Sequence, residues 1–240
     1  MSLLSVENLV AAHGLLTAVR GVSFAVDEGA AIAVVGANGA GKTTLLRAIS
    51  GVHRIESGRI VLDGIDLTRS NAPKRVAAGV AMVPEGRRLF GDMTVRENLL
   101  LAGEYGRAGR WTLDAVLDAF PALKPLLDRP ADVLSGGQRQ AAAIGRSLMC
   151  NPRILLLDEV SLGLSPIAVD GLYQSLALLR RAGTTIVLVE QDLDRALGFA
   201  DRILCMLEGG IALEGEPAAL SRADITAAYF GLARAKGGAS

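Results

Sequence analysis

Aromatic residues make up only 4% of this 240-residue chain, and cysteine is limited to Cys150 and Cys205. Two isolated thiols are too few for a disulfide framework and lack metal-ligand spacing, so reduced, buried thiols in a cytosolic setting are expected. Charge of one sign is not in excess, because 25 basic residues balance 25 acidic ones. That balance argues against the basic footprint of a nucleic-acid-binding protein. No run approaches the ~18 apolar residues of a membrane span, and the N-terminus lacks the basic-then-apolar order of a secretory signal. Any membrane role is therefore expected to run through partner subunits. Sustained heptads, internal repeats and long low-complexity segments are missing too. What is plentiful is apolar residues, at 50%, together with 28 glycines. This suits one large domain, or a domain plus a subdomain, with a sizeable core.

The stretch Gly36-Ala37-Asn38-Gly39-Ala40-Gly41-Lys42-Thr43-Thr44 fits G-x-x-x-x-G-K-[ST], the phosphate-binding P-loop. Glycines let the backbone curl until its N–H groups point at the β- and γ-phosphates, and the helix that follows presents its positive end. Lys42 adds a cation for those phosphates, and Thr43 a hydroxyl for Mg²⁺. A flexible turn in a glycine-rich chain is the plain alternative. Context argues against it: residues 30–35 read as a buried strand and residues 44–49 as a helix, with Leu45, Leu46 and Ile49 on one face and Gly51 beyond its end. Nucleoside triphosphate binding follows.

Around this loop the pattern is that of an α/β protein. Residues 4–9 and 22–26 read as strands, and residues 59–62 as a further strand ending in the turn Asp63-Gly64. From 95 to 127 the period turns helical, with Leu113, Val116, Leu117 and Phe120 ahead of Pro121, suggesting an inserted helical subdomain at about 87–134. Two apolar runs, 154–157 and 185–189, are separated by a helical stretch at 172–181, the spacing of a β-α-β unit in a parallel sheet. Residues 202–207 and 211–213 form an expected hairpin about Glu208-Gly209-Gly210, and 233–240 an expected flexible tail.

Two further clusters carry chemistry. The run 154–157 ends in Asp158-Glu159, which puts two carboxylates at the carboxyl end of a buried strand, where open α/β sheets bind ligands. Alone this is an ordinary solvated turn. Downstream of a P-loop, Asp158 suits Mg²⁺ and Glu159 suits a general base that polarises the attacking water. The second cluster, Leu134-Ser135-Gly136-Gly137-Gln138, opens a helix expected from about Arg139 to Met149. Ser135 is its N-cap and the glycines leave N–H groups accessible, so this helix start is an anion site in its own right or simply a capped helix after a loop.

P-loop, Leu-Ser-Gly-Gly-Gln and Asp-Glu in this order resemble the ATP-binding cassette (ABC) family over nearly the whole chain. The resemblance implies one ABC ATPase domain over 1–240: a P-loop NTPase core with a mostly parallel sheet, an N-terminal antiparallel β subdomain and the inserted helical subdomain. It implies ATP and Mg²⁺ as ligands and a head-to-tail pairing with a second ABC ATPase subunit. On that reading Ser135, Gly136, Gly137 and Gln138 serve the partner's nucleotide. Glu85, in Pro84-Glu85-Gly86-Arg87-Arg88, stands where most cassettes have the Q-loop glutamine; its carboxylate approaches Mg²⁺ through water. Gln191 stands at the switch-histidine position, where its amide donates to a phosphate oxygen and never becomes cationic. His13 falls where an aromatic residue stacks on adenine. Residues 161–166 occupy the D-loop, with Ser165 where Asp is common and Val160 where Pro is common.

Pro84-Glu85-Gly86-Arg87-Arg88, Ser161 to Pro166, Val189-Glu190-Gln191 and Tyr229-Phe230-Gly231 together resemble the smaller ATPase subunit of branched-chain amino acid importers. That resemblance implies transmembrane permease subunits, indirect cooperation with an extracytoplasmic solute-binding protein, and a place at the cytoplasmic face of the membrane, with no nucleic acid partner. Importers of urea or short amides share the pattern. A soluble cassette ATPase acting on DNA or the ribosome, and an exporter of lipid or polysaccharide, are the competing readings.

Overall fold

The structure, a computed structural model, describes residues 2–232; the expected tail at 233–240 lies outside the described residues. Alternating apolar residues form β1 (Ser2–His13) and β2 (Leu16–Asp27). In β1 the inward positions switch from Leu4 and Val6 to Leu9 and Ala11. The switch falls at a register shift beside Asn8, whose φ is 47°; an extra residue there restores the core face after the bulge. Next come β3 (Ala31–Val35), α1 (Lys42–Ser50), β4 (Ser57–Leu62), β5 (Ile65–Asp66), α2 (Ala72–Ala78) and β6 (Val80–Val83). The helices α3 (Val95–Glu104), α4 (Leu113–Ala119) and α5 (Gly136–Met149) precede β7 (Ile154–Asp158). The chain then runs through α6 (Pro166–Arg181), β8 (Thr185–Val189), α7 (Leu193–Phe199), β9 (Arg202–Leu207), β10 (Gly210–Gly215) and α8 (Arg222–Phe230).

Two sheets result. An antiparallel one has the order β2-β1-β4-β5, and a six-stranded one the order β10-β9-β3-β8-β7-β6. In the second, β9, β3, β8, β7 and β6 are parallel and β10 pairs antiparallel at one edge. Every residue of β3, β7 and β8 is buried, as expected for parallel strands covered on both faces. One core, with Leu45, Leu46 and Ile49 of α1, lies between the two sheets. The other face is covered by α3 to α6, with Leu99, Val116, Ile144 and Leu176 packed on Leu155, Leu157 and Ile186. Residues 87–134, the expected helical insertion, carry α3, α4 and two 3₁₀ turns (Pro121–Leu126 and Ala131–Val133).

Arg75 of α2 is buried and donates to the carbonyls of Ala48 (2.6 Å), Ile49 (2.7 Å), Ser70 (2.9 Å) and Thr68 (3.2 Å). Two of these close α1, so a cation meets the negative end of the P-loop helix. Arg75→Met fills similar space but strands four acceptors, so it is expected to lower unfolding free energy by about 3 kcal/mol. A denaturant midpoint within error of the parent would refute this role.

Candidate nucleotide site

The loop between β3 and α1 is threaded through a gap that admits no side chain at two points. Gly41 has φ 101° and Gly36 φ 149°. A Cβ on Gly41 would run into the Ala18 carbonyl oxygen, and one on Gly36 into that of Met206. Both obstacles are backbone and neither can swing aside, so these positions are closed to anything but glycine. Pinned against β2 and β9, the loop delivers Lys42 as the first residue of α1.

Lys42 is 4% exposed. Its Nζ donates to the carbonyls of Gly36 (2.7 Å) and Ala37 (3.0 Å) and lies 3.8 Å from Glu159 Oε1. Burial pulls the ammonium below the ordinary lysine value, and Glu159 and Asp158 oppose that shift. Thr43 Oγ1 donates to Asp158 Oδ1 at 2.9 Å. Asp158 ends β7 wholly buried, and its Oδ2 has no hydrogen-bond partner among the described residues. Burial pushes this carboxyl above the usual range, opposed by the Thr43 hydrogen bond. A buried, unpartnered carboxylate oxygen beside a hydroxyl is a mismatch that a hard cation removes.

These residues fit Mg²⁺. Among the described residues no cluster of three or more His, Cys, Asp or Glu makes an all-protein cage. Mg²⁺ is ordinarily held by one or two carboxylates, with substrate phosphates and water completing the octahedron. Asp158 and Thr43 supply such a partial set, and Glu85, exposed just after β6, lines the same cavity.

Glu159 adopts φ 49°, a left-handed conformation that costs a non-glycine residue about 1 kcal/mol or more. Its N–H donates to Val189 O at 3.1 Å. The side chain spans the site: Oε1 faces Lys42 and Oε2 accepts from Gln191 Nε2 at 2.6 Å. His13, at the end of β1, places Nε2 3.2 Å from Thr44 Oγ1, and its ring packs on His53 at 4.3 Å between centroids.

One cavity of about 450 Å³ is lined by His13, Asn38, Gly39, Gly41, Lys42, Thr43, Thr44, Glu85, Glu159 and Gln191, a size suited to a small-molecule ligand. Gly36 and Ala40 of the same loop are buried and do not line it, and Asp158 reaches it through Thr43. Ser135, Gly137 and Gln138 line a different cavity, of about 300 Å³, with Phe120, Ala168 and Leu172. There Ser135 and Gln138 form a reciprocal capping box at the head of α5. Their side chains serve each other's backbone, which leaves the first-turn N–H groups of Gly136 and Gly137 to an outside acceptor.

Some residues around the site were given no role by the sequence. Arg87, at φ 65°, donates to Gln140 Oε1 of α5 (3.2 Å) and to Leu162 O (3.3 Å), so it ties the segment after β6 to α5 and to the loop after β7. Asn98 of α3, fully buried, donates to the carbonyls of Phe90, Met93 and Thr94 and shapes the preceding loop. Glu190, within Val189-Glu190-Gln191, was legible as an acid directly after the apolar residues 186–189, the same signal that marks Asp158.

A model of the ABC transporter family matches residues 19–161. The high-affinity branched-chain amino acid transport ATP-binding protein BraG of Pseudomonas aeruginosa is 39% identical over 232 residues, covering 95% of this chain and 100% of that protein. The probable branched-chain amino acid transport ATP-binding protein LivF of Archaeoglobus fulgidus is 37% identical over 186 residues, 76% of this chain and 79% of that one. Among solved structures, the ADP conformation of MJ1267, an ATP-binding cassette of an ABC transporter, superposes with a TM-score of 0.80 at 29% identity, covering 95% of this chain and 94% of that one.

Proposed function

This chain belongs to the ABC transporter family and is an ATP-hydrolysing subunit of such a transporter, and from that premise we propose that it drives uptake of branched-chain amino acids across the cytoplasmic membrane. What supports the solute class is the end-to-end similarity to a branched-chain amino acid transport protein, joined by the second such relative. No helix among the described residues is long and apolar enough to cross a membrane, so the proposal places this subunit on permease subunits at the cytoplasmic face. Residues 87–134 would carry its motion to them.

The hydrolytic roles are likewise our reading, and one observation carries them: Lys42, the Thr43–Asp158 pair and the Glu159–Gln191 pair converge on one cavity. The loop N–H groups and Lys42 hold the phosphates, and Lys42 exchanges its two carbonyl acceptors for phosphate oxygens. Thr43 and Asp158, with Glu85 nearby, would hold Mg²⁺, which when bound neutralises charge on the phosphate oxygens. Glu159 accepts a proton from the attacking water and Gln191 fixes its other oxygen. His13 faces the adenine side. Ser135, Gly136, Gly137 and Gln138, which do not line this cavity, are assigned to the nucleotide of a second cassette subunit across a dimer interface. Closure of that dimer does work because ATP binds the closed state better than the open one.

The test is gentle extraction of native membranes through a tag on this chain. Two multi-span permeases and a second cassette ATPase should co-purify, and ATPase activity in vesicles should rise when the accompanying solute-binding protein is loaded with Leu, Ile or Val. Stimulation by urea alone would overturn the solute class, and recovery only with ribosomes or DNA-repair proteins would overturn transport.

A further inference from the structure

Glu190 follows β8 and is 2% exposed, behind the wall of the nucleotide cavity rather than in it. Four groups donate to its carboxylate. Oε1 accepts from the N–H of Gln191 (2.8 Å), the N–H of Asp192 (3.1 Å) and Ser161 Oγ (3.0 Å). Oε2 accepts from Ser161 Oγ (2.7 Å) and from the Tyr173 hydroxyl of α6 (2.7 Å). Its own N–H donates to Val34 O of the strand feeding the P-loop, at 3.2 Å. One side chain thus joins the loop bearing Gln191, the loop two residues beyond Glu159, and α6.

Stability alone is a poor account of such a group. A buried carboxylate loses its hydration, and a buried polar cluster replaced as a whole by apolar groups of similar shape is commonly as stable or more so. The arrangement matters more to a neighbour. Gln191 and Glu159 each reach their shared 2.6 Å hydrogen bond through flexible side chains, so the bond persists only where both backbones are fixed. Glu190 holds one of them through the N–H groups of Gln191 and Asp192, and the other through Ser161.

We propose that Glu190 is a positioning residue for hydrolysis: its carboxylate clamps the two loops together so that Gln191 holds Glu159 where it meets the attacking water. The inference rests on the reading that Glu159 and Gln191 act on that water.

A double-mutant cycle in the purified, tagged complex tests it. Glu190→Ala is expected to lower kcat about tenfold with KM for ATP changed by less than about twofold. Glu190→Gln, whose oxygen still faces the two N–H groups while its amide meets two hydroxyls able to accept, is expected to return kcat to within about threefold of the parent. In a Gln191→Ala background, Glu190→Ala is expected to cost less than about twofold more, because its effect passes through Gln191. If Glu190→Ala does not accumulate, Ser161→Ala takes its place in the cycle, with about a threefold loss and the same non-additivity. Losses that multiply, or a KM that rises as kcat falls, reduce Glu190 to a structural group and overturn the inference. Full activity in Gln191→Ala overturns it together with the role of Gln191, while Glu159→Gln reports separately on the hydrolytic reading.

Discussion

Glu159→Gln is expected to bind ATP with parent-like affinity and to hydrolyse it about 10²–10⁴-fold more slowly, the range that loss of a positioned general base commands. The geometry makes this a clean separation. The substituted amide oxygen can still accept from Gln191 Nε2, which now lies 2.6 Å from Glu159 Oε2, so the local shape survives. What disappears is a group able to take a proton from water, along with the carboxylate charge 3.8 Å from Lys42 Nζ. Freed of that charge, Lys42 is at least as available to phosphate as before, so affinity should hold or rise slightly. Equilibrium binding of a fluorescent ATP analogue and steady-state phosphate release, measured on one preparation, decide the matter. Turnover within about tenfold of the parent would remove Glu159 from the role of base.

Lys42→Ala is expected to fail at the opposite step. The ammonium is almost wholly buried and its present acceptors are two loop carbonyls. Phosphate oxygens carry full negative charge, and a charge-assisted hydrogen bond to them is worth about 1.5–3 kcal/mol, or on the order of 10–100-fold in affinity per bond. With two or more such bonds lost, nucleotide affinity should fall at least about 100-fold, and turnover at ordinary ATP concentrations with it. Raising ATP should recover part of the Lys42→Ala loss and none of the Glu159→Gln loss. If Lys42→Ala binds nucleotide within about threefold of the parent, the cation does not hold the phosphates and the cavity must be read differently. Direct titration calorimetry supplies that number, with the thermal midpoint as the check that the loop still folds.

Much of the fold was legible because its signals are local. The largely apolar runs 154–157 and 185–189 with a helix between them specify parallel neighbours, and β7 and β8 do pair in parallel. The capping residue Ser135 and the end residue Gly51 bound α5 and α1 as their chemistry requires, although α5 begins at Gly136 rather than near Arg139, directly after its cap. Less was legible where segments are short or one-sided. In α2, seven residues long, the buried side chain is Arg75, so an apolar period is absent. β6 has four residues, too few to tell from a buried turn by alternation. The antiparallel order β2-β1-β4-β5 depends on pairings between strands some 50 residues apart, which no local window contains.

By itself, the sequence determined that this protein binds a nucleoside triphosphate, that Asp158 and Glu159 stand at the end of a buried strand, and that a second, separately capped helix start lies at Ser135. Each follows from a few adjacent residues read with the apolar pattern on either side of them. Only the tertiary structure decided which of them meet. It brought His13 to Thr44 across 31 positions, Thr43 to Asp158 across 115 and Gln191 to Glu159 across 32. It also set Ser135 and Gln138 in a separate cavity and gathered four donors on Glu190. Motif spacing reports what each element carries, whereas the register of parallel strands and the packing of helices on both faces fix which loop ends share a site.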